Sequence, residues 1–165
     1  MKQSHKSTPT ISVVMPLYNC AAFVAEAIES ILVQSFADFE FIIVDDGSTD
    51  GTPDTIRDYA RQDKRIRPFF LEHSYAARAT NIGVQHARGQ WFARMDADDI
   101  SLPHRLETEL AWIKSTGVDV CGSQAGLFGK REGVLWFPED HDAMQRELLF
   151  RICLPHPAVI MAYPY

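Results

Sequence analysis

Short β-branched runs alternate along this chain with stretches whose apolar residues recur at helical spacing. Residues 11–15, ISVVM, form the first such run; Pro16 stops it, and it reads as a buried strand. Phe23, Ala27, Ile28, Ile31 and Leu32 then line one face of a helix, with Asn19 placed to cap it. Residues 39–44, FEFIIV, form a second strand that runs directly into Asp45-Asp46-Gly47-Ser48-Thr49-Asp50-Gly51. Thr52 is expected to cap the next helix, with Pro53 at its first position and Asp54 near the positive end of its dipole. Residues 66–71 predict a third strand and 76–87 a helix that Gly89 would stop. Residues 90–95 predict a fourth strand ending in Asp96-Ala97-Asp98-Asp99, 103–115 a helix ended by Gly117, and 118–122 a fifth strand.

Strand and helix alternating over short connections is the pattern of a parallel α/β sheet. The last third is less regular: residues 127–137 suggest a hairpin around Gly129 and Gly133, and 142–151 a helix. Residues 1–9 read as a flexible tail, and 10–165 as a single domain.

Composition narrows the partners more than the fold. Lys plus Arg number 16 against 22 for Asp plus Glu, a net charge of −6. A surface that coats nucleic acid or anionic lipid needs clustered cations, so neither is expected as a partner. Any anionic ligand must therefore be held locally, by a metal ion or by backbone amides. Three widely spaced cysteines without a CxxC pair fit free thiols in a reducing compartment better than disulfides or zinc ligands. The opening MKQSHKSTP lacks the apolar stretch of a secretion signal, and no window approaches the roughly 20 apolar residues of a membrane span. A cytoplasmic location follows as the expectation.

The candidate chemistry sits where strands end. In open α/β sheets ligands bind outside the carboxyl ends of the strands. Here strand one ends at Pro16-Leu17-Tyr18-Asn19, strand two at Asp45-Asp46-Gly47 and strand four at Asp96-Ala97-Asp98-Asp99, so parallel strands would gather all three at one edge. Asp96 and Asp98, two apart, can project to one face and approach a common point. Convergent carboxylates repel unless a cation lies between them, and a hard divalent metal is the usual answer. An isolated DxD is more often a solvated turn, with Asp99 as a helix cap; the second acidic strand end nearby favours a site. Residues 45–52 can likewise be a plain strand-to-helix turn. Alternatively, a strand-end carboxylate could accept the imide N–H of a pyrimidine, and Tyr18 could offer its ring face to that base.

Four stretches together carry a resemblance. Residues 12–19 (SVVMPLYN), 41–52 (FIIVDDGSTDGT), 93–103 (ARMDADDISLP) and the intervening Asn81-Ile82-Gly83 with Ala87-Arg88-Gly89 closely resemble the family 2 glycosyltransferases of GT-A fold. The late Leu154-Pro155-His156-Pro157 resembles a segment of that family's bacterial surface-polysaccharide branch. The resemblance implies a Rossmann-like, mostly parallel sheet flanked by helices, with the C-terminal part truncated. It implies an inverting transferase that takes a nucleotide-diphosphate sugar, a UDP-sugar, and adds the sugar to a cell-surface glycan or a lipid-linked precursor. Such an enzyme would be cytoplasmic or peripheral to the inner face of the membrane. Carried over by position, Pro16 and Tyr18 line the nucleotide pocket, and Asp45, with Asp46 beside it, binds the base. Asp96 lies near the ribose, and Asp98 holds Mn²⁺ or Mg²⁺ on the diphosphate.

Two departures bear on that transfer. Many relatives carry Arg immediately before the Asn matching Asn81, where this chain has Thr80; Arg78, two positions earlier, is turned about 200° away on a helix. Arg78 remains a candidate for the diphosphate. The family's general base, an acidic residue downstream of the segment matching His156-Pro157, would fall beyond Tyr165. Glu139-Asp140-His141-Asp142 fits a helix cap better than a base, and His156 fits a turn as well as a ligand. A non-catalytic nucleotide-diphosphate-binding module lacking the base is the alternative. An aspartyl-phosphorylated signalling domain is disfavoured, because strand one lacks the acidic pair and the last lysine, Lys130, falls in the hairpin.

Overall fold

The computed structural model of the chain describes residues 8–149 and 151–163. β1 (Ile11–Leu17) and β2 (Phe39–Asp45) are buried at every position, as mostly apolar strands covered on both faces are. They pair in parallel, with Ile11 opposite Phe39 and Leu17 opposite Asp45. Three helices, α1 (Val24–Leu32), α2 (Thr52–Gln62) and α3 (Ala76–Gln85), alternate with β3 (Ile66–Phe70) and β4 (Trp91–Arg94). β3 extends the sheet beyond β2 and β4 extends it beyond β1, both in parallel. After α4 (Arg105–Thr116) come β5 (Val120–Gly122), a separate hairpin of β6 (Ala125–Leu127) and β7 (Gly133–Leu135), and α5 (His141–Glu147).

β8 (Val159–Ala162) then inserts antiparallel between β4 and β5, giving the order β3-β2-β1-β4-β8-β5. The sheet is thus mostly parallel, as expected, with one reversed strand that the alternating pattern does not contain.

Helices lie on both faces. Val24, Ala27, Ile28 and Ile31 of α1, Ile56 of α2 and Leu106, Leu110 and Ile113 of α4 pack with Val13 and Met15 on one side. Ala79 of α3 packs with Val14, Ile42, Val44 and Phe92 on the other. At the amino ends of β1 and β2 the buried Glu40 carboxylate accepts from Ser12 Oγ at 2.7 Å and from Arg88 Nη2 at 2.6 Å, with Arg67 paired to it as well. This locks the sheet at the end opposite the acidic clusters.

Several local expectations change. α3 ends at Gln85, and Gly89 is not its stop; the Gly89 N–H instead donates to Ser12 Oγ at 2.8 Å. Gly117 does end α4, in the left-handed region at φ 71°. The last helix spans His141–Glu147 rather than 142–151, with the Asp140 carboxylate before it capping Ala143 N–H at 2.8 Å. Residues 1–7 of the expected tail, and residues 150, 164 and 165, lie outside the described residues. Among the described residues, no helix is long and apolar enough to cross a membrane.

Candidate functional site

The parallel arrangement of β1, β2 and β4 brings their carboxyl ends to one edge. There the loops after β1 and β2 are stitched together. Asn19 N–H donates to Ser48 Oγ at 2.8 Å, and Thr49 N–H to Asn19 Oδ1 at 2.9 Å. Cys20 N–H donates to Thr52 Oγ1 at 2.9 Å, and Ala21 N–H to Asp50 Oδ2 at 3.1 Å. Asn19 and Thr52, both expected to cap helices, are therefore cross-loop ties: α1 begins only at Val24, and Thr52 is already its own helix's first residue. Asn19 adopts φ 52°, a left-handed conformation that Asn tolerates better than most residues.

A second tie closes the adjacent wall. Asp46, almost fully buried, accepts from Ser74 N–H at 3.1 Å and Ser74 Oγ at 3.0 Å, and its Oδ2 lies 3.1 Å from His73 Nδ1. This clasp needs Gly47, whose φ is 78° and where a Cβ would sit 2.6 Å from the His73 backbone nitrogen. The His73 ring, so placed, stacks on Tyr18 with centroids 4.0 Å apart and planes 25° from parallel. Tyr18 is 42% exposed, which leaves ring area for a ligand.

The third wall is the end of β4. Arg94, its last residue, donates through Nε and Nη2 to Asp96 Oδ1 at 3.2 and 3.1 Å. Asp98 makes no ion pair or hydrogen bond among the described residues. Burial raises the Asp99 carboxyl above its usual range, and the charges of Asp98 and Asp96 push it the same way. Burial likewise raises the Cys20 thiol, with Asp98, Asp50 and Asp45 adding to the effect. Negative charge from two strand ends thus converges without full compensation. The loop carrying it is braced by α1 and the turn after it: Ser101 N–H donates to Ser30 Oγ, and Gln34, just past the helix, both donates to Leu102 O at 2.8 Å and accepts from Leu106 N–H at 3.1 Å.

Together these walls enclose a cleft of about 540 Å³ lined by Pro16, Tyr18, Asp46, Asp96 and Asp98, with Asn19, His73, Ser74, Tyr75 and Arg94. The other two sequence candidates lie outside the lining. Asp45 is buried at the end of β2 beneath the loop, where one oxygen accepts Ser48 N–H at 3.1 Å. Arg78 is exposed on α3, because Ala79 and Gly83 are the positions that face the sheet. His73, Tyr75 and Arg94 belong to the cleft although sequence reasoning gave them no role; Arg94 stands inside the ARMDADD stretch, but nothing in spacing alone shows that it pairs with Asp96. His156 begins a short 3₁₀ turn before β8 and does not line the cleft.

The donor set suits a hard divalent cation only in part. Among the described residues, no three His, Cys, Asp or Glu side chains converge to hold one alone. One or two carboxylates completed by phosphate oxygens is nonetheless how Mg²⁺-like ions are commonly bound, and the unpaired Asp98 beside a partly uncompensated negative field fits that arrangement.

A family model described as Glycosyl transferase family 2 matches residues 12–157. The glycosyltransferase EpsE of Bacillus subtilis is 42% identical over 110 residues, 66% of this chain and 40% of that protein. Among solved structures, S. aureus TarS superposes with a TM-score of 0.76 at 26% identity, over 93% of this chain and 47% of that one. TarS has also been solved with UDP and with UDP-GlcNAc. The mannosyltransferase PcManGT of Pyrobaculum calidifontis, in complex with GDP-Man and Mn²⁺, matches with a TM-score of 0.63 at 27% identity, over 70% of this chain and 35% of that one. The chain spans less than half the length of each of these three proteins.

Proposed function

The chain belongs to glycosyl transferase family 2, and from that premise we propose that its strand-end cleft binds the nucleotide diphosphate of a UDP-sugar together with one Mn²⁺ or Mg²⁺. The observation that carries this reading is the convergence of Pro16, Tyr18, Asp46, Asp96 and Asp98, from three separate stretches of sequence, on one cleft. The UDP and UDP-GlcNAc complexes of TarS support the choice of donor, and the Mn²⁺ of the mannosyltransferase supports the metal.

Each residue then has a physical task. Tyr18, propped by His73, offers a ring face to the base. Asp45, buried outside the cleft lining with one oxygen on Ser48 N–H, would take the uracil imide N–H on its other oxygen where the base reaches past the lining to the end of β2. Asp96 faces the ribose, and Asp98 holds the metal. A divalent ion there neutralises charge on the departing diphosphate, which the chain's own acidic residues would otherwise oppose. Transfer proceeds with inversion to a cell-surface glycan or its precursor, by a protein in the cytoplasm or against the inner face of the membrane.

Inversion requires a base on the acceptor hydroxyl, and this reading sets it downstream of Pro157. Asp140 is committed to capping α5, so the acidic stretch 139–142 is not assigned that task. The same observation favours, as a second reading, a nucleotide-diphosphate-binding module without transfer activity; release of sugar from a UDP-sugar to an added acceptor separates the two. The test of the donor site is a calorimetric titration with UDP and with GDP, each with Mn²⁺ and with chelator. UDP should bind with Mn²⁺, more tightly than GDP, and lose affinity on chelation. Chelator-insensitive binding, or none from a folded chain, overturns the assignment.

A further inference from the structure

We propose that Arg94 is a positioning residue of the donor site: its guanidinium holds Asp96 as an ion pair, so that Asp98 alone is left to take the metal. The inference rests on the donor-site reading above and assigns a division of labour within it.

Arg94 is the only Lys or Arg among the residues lining the cleft. Both of its contacts, from Nε and Nη2, fall on Asp96 Oδ1. The pair is half-buried, with side-chain exposures of 28% and 31%, shielded enough for charge-assisted bonds to hold it in place. Its base is fixed as well. Arg94 pairs with Val14 of β1, and its carbonyl accepts from the buried Arg105 Nη2 at 2.9 Å, tying the end of β4 to α4.

The charge balance gives the pair its consequence. Of the three carboxylates lining the cleft, Asp46 is taken by Ser74 and His73, and Asp96 by Arg94; only Asp98 is unpartnered. Asp96 and Asp98 both lie in the segment after β4, and both line the cleft. Without Arg94, Asp96 and Asp98 would form a two-carboxylate chelate that takes a divalent cation before any nucleotide arrives. With Arg94, the cation is held weakly by Asp98 until diphosphate oxygens complete its shell. The Arg94 pair thereby couples metal binding to donor binding.

The test measures Mn²⁺ binding in the absence of nucleotide, by electron paramagnetic resonance, for the wild type, Arg94→Met, Arg94→Lys and the double variant Arg94→Met/Asp96→Asn. Arg94→Met should bind Mn²⁺ about tenfold more tightly than the wild type, the scale of one charge-assisted contact exchanged for a new ligand. Adding Asp96→Asn should abolish that gain, and Arg94→Lys, a point charge without the fork, should fall between. A merely structural role would weaken Mn²⁺ binding or leave it unchanged, and either result in a folded variant overturns the proposal. If Arg94→Met does not fold, Arg94→Lys decides by the same reading. UDP with Mn²⁺ is titrated into the wild type in parallel. Failure there sinks the donor site itself, whereas UDP binding with no Mn²⁺ gain in the variants sinks only the role of Arg94.

Discussion

Gly47→Ala tests whether the wall beside Tyr18 depends on one close backbone approach. Gly47 holds φ 78°, and an alanine Cβ there would stand 2.6 Å from the His73 backbone nitrogen and 3.0 Å from its Cα. Gly117 is the internal control: its φ is 71°, but a Cβ would meet nothing within 4 Å. Both substitutions carry the left-handed penalty of about 1–2 kcal/mol. Only Gly47→Ala adds a collision with backbone, which no rotamer change relieves, and overpacking of that kind costs about 1–3 kcal/mol more. Gly47→Ala should therefore lose about 2–5 kcal/mol in total, against about 1–2 for Gly117→Ala. Because relief requires the 73–74 segment to retreat, the Asp46–Ser74 clasp opens and the His73 ring leaves Tyr18. Urea unfolding followed by tryptophan fluorescence gives the two stabilities, and calorimetry with UDP and Mn²⁺ gives affinity for each folded variant. Equal destabilisation of the two variants, or full UDP affinity in Gly47→Ala, refutes the reasoning.

Tyr18→Ala should weaken UDP binding by about 1–3 kcal/mol, the usual worth of a base stacked on an aromatic ring, while Tyr18→Phe should stay near wild type; an undiminished Tyr18→Ala removes the base from that ring. Glu40→Gln should cost about 1–3 kcal/mol of stability, toward the low end because Arg67 and Arg88 can turn to water. Burial acts to raise the Glu40 carboxyl, but hydrogen bonds from Arg88, Ser12 and Arg67 outweigh it and hold it below its ordinary 4.5. Its contribution is thus complete above pH 4.5 and lost as pH falls through the lower folded value. The acid limb of a stability–pH curve should be shallower in Glu40→Gln, and coincident limbs would contradict the network.

The frame of the fold was readable because β1, β2 and β4 are short apolar runs that stop at acid-rich turns, and parallel pairing sends those stops to one edge. What misled was local chemistry with two uses. Asn19 and Thr52 are good cap residues, yet their side chains bond across loops to partners 30 or more residues away in sequence, and no window around either residue contains that partner. β8 was missed because Val159–Ala162 is a four-residue run close behind Pro155 and Pro157, and its antiparallel place between β4 and β5 is set by the finished sheet. Asp46 was legible as a site residue but not as a clasp, since Ser74 reaches it only once β3 and α3 are in place. Arg94 was visible in the sequence; its pairing with Asp96 required the geometry.

The central claim is that Asp98 carries the metal on which donor binding depends. UDP is titrated by calorimetry into the wild type and Asp98→Ala, each with Mn²⁺ and with chelator, with melting curves showing that both are folded. The account predicts Mn²⁺-dependent binding in the wild type and its loss in Asp98→Ala, leaving only the weak affinity the wild type shows with chelator. Mn²⁺-dependent binding that survives unchanged in Asp98→Ala would contradict it.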